Sequence, residues 1–322
     1  MSWKLLLPEA VSMADQTSVS VIIITRNRAQ MLQDCLEHLK RQTVAPDEVI
    51  VVDSSTGEDT QVVLDGYLEV VRLRIPDGRN NMPQARNLGI AHARGEVVAF
   101  LDDDSMAQPD WLHCLLEPYA DPSVGGVGGR VVDKLEQSRV TPDDPRIGVI
   151  QRDGKITTNF ILDPGGPVEV DHMRGCNMSF RHAALERIGG FDRRYIGGNT
   201  CEELDVCLRI KRAGWKLVFQ PLAVVKHLAA PREGMTRGLD MIEPRPVLWD
   251  AHNRAYLLFK NFGYNCWTAK NILGGRQLLF LKLLLREPSW RRARTAVLYG
   301  AGAWWGLADS IVRRVHLIRL GG

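Results

Sequence analysis

The stretch Glu96-Val-Val-Ala-Phe-Leu-Asp-Asp-Asp-Ser105 decides how the chain is read. Val97 to Leu101 is a short apolar run of mostly β-favouring residues, preceded by Gly95 and ended by three consecutive aspartates. A run this short and this apolar predicts a strand buried on both faces of a parallel sheet. Ligands of open α/β sheets bind beyond the carboxyl ends of the strands, where Asp102, Asp103 and Asp104 fall. Adjacent like charges repel, so a counter-charge is required. A hard divalent cation shared between carboxylates and substrate phosphates would supply it. The plain alternative is a solvated acidic turn capping the next helix.

The chain on either side repeats this alternation. Ser18–Thr25 predicts a β-branched strand, and Met31, Leu32, Cys35, Leu36 and Leu39 fall at helical spacing after it. Glu48–Val52 predicts a second buried strand ending at Asp53. A helix over 56–67, a strand over 68–75 and a helix over 83–94 with Pro83 in its first turn follow. Strands and helices at this interval mean βαβ units with right-handed crossovers. Beyond Ala120 the rhythm loosens: Val124–Val132 is a Gly-rich strand, and residues 133–170 read as loops or edge strands. A helix over 200–213 and short strands at Trp215–Gln220 and Ala223–Lys226 close this part. The Gly-Gly-Val-Gly-Gly run at 125–129 is not a P-loop, because no helix with Gly-Lys-Ser/Thr follows. No GxGxxG opens the first βα unit either.

Composition is that of a globular protein, 45% hydrophobic and 25% charged in 322 residues. The 6 cysteines show no CxxC or metal-finger spacing, which predicts reduced thiols and a cytoplasmic setting. Leu5-Leu6-Leu7 is cut short by Pro8 and Glu9, too brief for a secretory signal. Residues 233–322 carry 14 Lys/Arg and 6 Asp/Glu, a charge of +8, against −5 for the rest. A basic, apolar tail on a slightly acidic body predicts an anionic neighbour, membrane or nucleic acid.

Three predicted strand ends now present polar groups along one rim: Thr25-Arg26-Asn27, Asp53 and Asp102–Asp104. An aspartate there can accept a hydrogen bond from a nucleobase or a ribose hydroxyl, and Arg26 or Arg86 can offset phosphate charge. Singly, Asp53 also suits an Asx turn and Arg86 a solvated helix face. Together they favour a nucleotide site.

These residues resemble an inverting glycosyltransferase of the family 2 type. The carriers are Val21-Ile-Ile-Ile-Thr-Arg-Asn27, Val51-Val-Asp53, Gln84-Ala-Arg-Asn-Leu-Gly-Ile90, Phe100-Leu-Asp-Asp-Asp104, Arg174-Gly-Cys-Asn-Met-Ser-Phe180, Ile188-Gly-Gly-Phe-Asp192 and Glu202-Glu-Leu-Asp-Val-Cys-Leu-Arg-Ile210. The resemblance spans about residues 18–230 and implies an α/β, GT-A fold: a Rossmann-like, mostly parallel sheet flanked by helices, here with a C-terminal helical extension. It divides the chain into a lead segment (1–17), a catalytic domain (18–232) and the basic extension (233–322). It implies that Thr25 and Asp53 grip the base of a nucleotide-sugar donor. Asp102 and Asp103 would serve the ribose and the metal shell, and Asp104 would ligate Mg²⁺ or Mn²⁺ directly.

The implied base for the acceptor hydroxyl is Glu203, with Glu202 as fallback. The commoner family pattern has Asp in this slot, so the reach of the carboxylate differs. Thr200 with Glu203 also fits a capping box, which would make Glu203 structural. Asp205 and Arg209 form an i,i+4 pair. His227 would complete the metal shell or serve structure alone. Arg174, Asn177 and Trp215 are candidates for the acceptor side, with a core role open for Trp215.

The extension predicts helices at about 246–262, 266–286 and 290–316. Their apolar faces, rimmed by Arg and Lys and carrying Trp, fit the membrane interface. Packing on the catalytic domain or dimerisation is the alternative. A glycan or lipid-linked acceptor would give the basic tail a membrane partner rather than nucleic acid, peripheral at the inner face of the cell membrane. A nucleotidyltransferase and a non-catalytic nucleotide-binding scaffold are the competing functions. The first lacks the glycine-rich loop it would need after the first strand, and the second leaves the full acidic set without use.

Overall fold

The computed structural model describes residues 17–76, 81–140, 143–150, 156–197, 201–230, 244–264, 282, 285–286 and 289–320. In chain order the elements are β1 (Val19–Thr25), α1 (Ala29–Lys40), β2 (Glu48–Asp53), α2 (Asp59–Leu64), β3 (Val71–Arg74), α3 (Met82–His92) and β4 (Val97–Asp102). Then come β5 (Ser105–Ala107), α4 (Trp111–Leu116), β6 (Val124–Val132), α5 (Lys134–Arg139), β7 (Val149–Ile150), β8 (Ile156–Thr157), β9 (Val168–Glu169) and β10 (Asn177–Arg181). The chain continues with α6 (His182–Ile188), α7 (Glu202–Arg212), β11 (Lys216–His227), α8 (Pro244–Phe262) and α9 (Trp290–Leu320).

Among the described residues one sheet holds nine strands, in the order β3-β2-β1-β4-β10-β6-β11-β5, with β9 paired to β11. β1 pairs in parallel with β2 and β4, and β6 in parallel with β11. β10 runs antiparallel to both β4 and β6, so β1, β2, β4, β6 and β11 all point the same way. Their carboxyl ends therefore share one edge. The mostly parallel α/β sheet flanked by helices is the architecture expected from the sequence.

The strands are apolar on both faces because both are covered. Along β1, Val21 and Ile23 enter one core with Leu32, Cys35 and Leu36 of α1 and with Trp111. Ile22 faces a second core with Phe100, Phe180, Val206 and Ile210. That alternation is the period of two expected of a strand.

One short-range reading changes. The strands expected at 215–220 and 223–226 are one strand, β11, with a register shift between Gln220 and Val224. Pro221 lies in that irregularity, where it need not donate to a ladder. The glycine run of β6 is explained by close approach: a Cβ on Gly129 would come within 2.0 Å of the Ala223 carbonyl oxygen.

Two of the three helices expected in the extension, α8 and α9, are present; the middle one, 266–286, lies almost wholly outside the described residues. Added Cβ atoms on Gly302 and Gly306 would come within 2.3 Å of the Leu248 carbonyl and 2.2 Å of the His252 carbonyl, so α9 sits backbone to backbone on α8. Among the described residues no helix is long and apolar enough to cross a membrane. Along α9, Trp290, Val297, Trp304 and Ile311 recur every seventh residue on one face and are 81%, 71%, 70% and 47% exposed.

Candidate active site

The common strand edge brings the acidic run to the polar end of β1. Thr25 ends β1 directly beside Asp53, and its hydroxyl donates to Asp103 Oδ2 at 2.8 Å. An open cleft lies there, lined by Thr25, Arg26, Ser54, Asn81, Asp102 and Asp103 among others. Burial pushes the Asp103 carboxyl up to about 7; Arg28 opposes the shift and Asp104 adds to it.

Arg28 is the counter-charge that reading the sequence missed. Its Nη2 lies 2.8 Å from Asp103 Oδ1 and 2.7 Å from Asp104 Oδ2. The signal was the position itself, a second arginine three residues beyond Thr25 at the mouth of α1.

Asp102, Asp104 and His227 each offer a ligand atom, all within 4.8 Å of one another and all buried. His227 Nε2 faces Asp104 Oδ1 at 3.3 Å and makes no hydrogen bond among the described residues. Its Nδ1 lies 2.7 Å from Asp133 Oδ2. Asp133 also caps α5, its Oδ1 accepting the Glu136 N–H. A carboxylate behind the far nitrogen is the usual support of a metal-binding histidine, fixing the ring and leaving Nε2 for the ion. Two carboxylate oxygens and an imidazole nitrogen suit Mn²⁺ or a similar divalent ion, so the residues present fit a cation. In the metal-free site burial would lower the His227 pKa, but Asp104 and Asp133 outweigh it and hold it up at about 9.

Other expected residues take different places. The Asp53 carboxylate accepts from the Ser55 N–H at 2.8 Å, an Asx turn, and from the Gln61 amide at 3.1 Å. Asn27, in the left-handed region at φ 52°, ties the ends of β1 and β2 by accepting from the Thr56 N–H at 2.9 Å. Arg86 is buried rather than solvated. It pairs with Glu202 and lies 3.6 Å from Asp102, joining α7 to the acidic run.

Helix α7 begins at Glu202 with Cys201 as its cap residue, so Glu203 stands second in the helix; Thr200, and with it the capping-box reading, lies outside the described residues. Glu202 is buried, and burial together with Glu203 holds its carboxyl well above the usual range against Arg86. Glu203 is half-buried. Arg174 pairs with Glu136 at 3.0 Å and feels the Glu203 charge as well. Asp205 and Arg209 make the expected pair at 2.8 Å.

Asn177 does not face the cleft. Its amide accepts from the Trp111 indole at 2.8 Å and donates to the carbonyls of Arg130 and Ala223 at 3.1 and 3.0 Å. Trp215 precedes β11 at the opposite edge of the sheet and packs on Gly125, the core role left open for it.

The family model described as "Glycosyl transferase family 2" matches residues 20–187, over half of the chain. The chain belongs to glycosyl transferase family 2. The family 2 assignment leaves the nucleotidyltransferase alternative without support. Among curated proteins the chain is 27% identical over 226 residues to a pre-mycofactocin glycosyltransferase of Mycobacterium tuberculosis, covering 68% of this chain and 44% of that one. The chain thus spans under half of that relative's length. It is 32% identical over 218 residues to the glycosyltransferase AglE of Haloferax volcanii, covering 66% and 67%. To the O-antigen chain rhamnosyltransferase RfbN of Salmonella typhimurium it is 26% identical, covering 69% and 70%. Among solved structures, a mannosyltransferase from Pyrobaculum calidifontis in complex with GDP-Man and Mn²⁺ superposes with a TM-score of 0.55 at 21% identity, covering 94% of this chain and 81% of that one. That likeness carries the GT-A fold.

Proposed function

We propose that this chain is a metal-dependent, inverting glycosyltransferase that moves a sugar from a nucleotide-diphosphate sugar to a hydroxyl of a glycan or lipid-linked acceptor. The observation that carries this is the convergence of Asp102, Asp104 and His227 beside a cleft lined by Thr25, Arg26, Ser54, Asp102 and Asp103. The GDP-Man and Mn²⁺ named for the related mannosyltransferase structure support the same reading. So does the O-antigen chain named for the RfbN relative.

Asp102, Asp104 and His227 would hold the cation, with Asp133 behind His227. The cation would offset the negative charge that develops on the departing diphosphate. Thr25 and Arg26 contact the nucleotide part of the donor, and Arg28 exchanges its carboxylate partners for diphosphate oxygens. Glu203 takes the proton of the acceptor hydroxyl as it attacks the anomeric carbon from the face opposite the leaving group, which gives inversion. Glu202, buried and held by Arg86, is the poorer base. Chelator-treated protein assayed over a panel of nucleotide sugars tests the reading. Turnover of one donor should return with Mn²⁺ or Mg²⁺, and turnover that persists in the chelator would reject the metal role.

The catalytic domain sits peripherally on the cytoplasmic face of a membrane in this reading. The exposed face of α9 and the +8 charge of residues 233–322 support an anionic lipid surface as its neighbour. Vesicles containing anionic phospholipid should carry the protein in flotation. The double variant Trp290→Ala, Trp304→Ala, altered only at exposed positions, should bind roughly tenfold less. Equal flotation of wild type with neutral and anionic vesicles, or none, would remove the membrane from the account.

A further inference from the structure

Helix α8 grips the chain on both sides of the Glu202–Glu203 turn. On the side entering it, Asn253 is fully buried and bonds the Ile196 backbone twice, donating to its carbonyl at 2.9 Å and accepting its N–H at 3.2 Å. The rings of Tyr256 and Tyr195 meet edge to face at 5.2 Å. Trp249 closes over Gly197, where a Cβ would lie 2.1 Å from the indole. On the far side, Lys260 Nζ lies 2.6 Å from Asp205 Oδ1 and 2.8 Å from Asp192 Oδ2. Asn261 donates to the same Asp205 oxygen at 3.0 Å. Asp205 stands two residues beyond Glu203 in the first turn of α7. Helix α9 closes the network, with Arg313 paired to Asp192.

We propose that Lys260 and Asn253 are positioning residues that hold the Glu203 carboxylate in its working place, which makes the C-terminal helix pair part of the catalytic unit. The inference rests on the reading of Glu203 as base. The chemistry of the contacts favours it over simple packing. A buried ammonium held between two carboxylates adds little net stability over an apolar replacement, but it fixes geometry. Misplacing a catalytic group by about 1 Å costs on the order of 10²-fold in rate.

Lys260→Met separates the possibilities. Asp192 keeps Tyr256 and Arg313, and Asp205 keeps Arg209 and Asn261, so neither carboxylate is stranded and the fold should survive. The turnover number should fall about 10- to 100-fold, while the affinity for nucleoside diphosphate with Mn²⁺ stays within about twofold. In a Glu203→Gln background the same substitution should have little further effect, because it acts through the missing carboxylate. Equal losses in both backgrounds, or none in the wild type, would overturn the positioning role. Glu203→Gln with full turnover would instead overturn the base reading, and this inference with it. Should Lys260→Met fail to fold, Lys260→Ala, which likewise removes the ammonium and leaves both carboxylates their other partners, carries the same comparison.

Discussion

Asp104→Ala is expected to lower sugar transfer by about 10³-fold or more. The estimate follows from the several kcal/mol that a cation contributes to a transition state with charge developing on phosphate, each 1.36 kcal/mol being tenfold. Asp104 is fully buried, faces His227 Nε2 at 3.3 Å and meets Arg28 at 2.7 Å. Its loss leaves Arg28 with Asp103 and His227 with Asp133, so the neighbouring charges keep partners and the fold should persist. Steady-state transfer at saturating Mn²⁺, with circular dichroism as the check on folding, reads the effect. Wild-type turnover would show that Asp104 takes no part in holding the ion.

Glu203→Gln should cost about 10²- to 10⁴-fold in turnover, the usual worth of a general base. The replacement keeps shape and removes proton affinity, so donor binding should not move. Glu203 is half-buried at the second position of α7. Its neighbour Glu202 is buried and tied to Arg86. Loss of turnover in Glu202→Gln with full turnover in Glu203→Gln would exchange the two roles.

The rim could be read from the sequence because it depends on local pattern. Each buried run, Val19–Thr25, Glu48–Asp53 and Val97–Asp102, ends in its polar residue, and parallel pairing sends all such ends to one edge. What escaped reading depended on partners far away in the chain. Nothing in the neighbourhood of Asn177 says that Trp111 will reach it from 66 residues away. Pro221 hid the continuity of β11, because proline ordinarily breaks a ladder. Asp133 gave no local signal at all: its link to His227 spans 94 residues and exists only once β6 and β11 lie side by side.

The most direct test of the central claim is calorimetric titration of wild type and Asp104→Ala with a nucleoside diphosphate, with and without Mn²⁺. The account predicts that Mn²⁺ strengthens binding to the wild type at least tenfold and leaves the variant unchanged. Nucleotide binding that ignores Mn²⁺ in the wild type, or responds to it equally in both proteins, would contradict it.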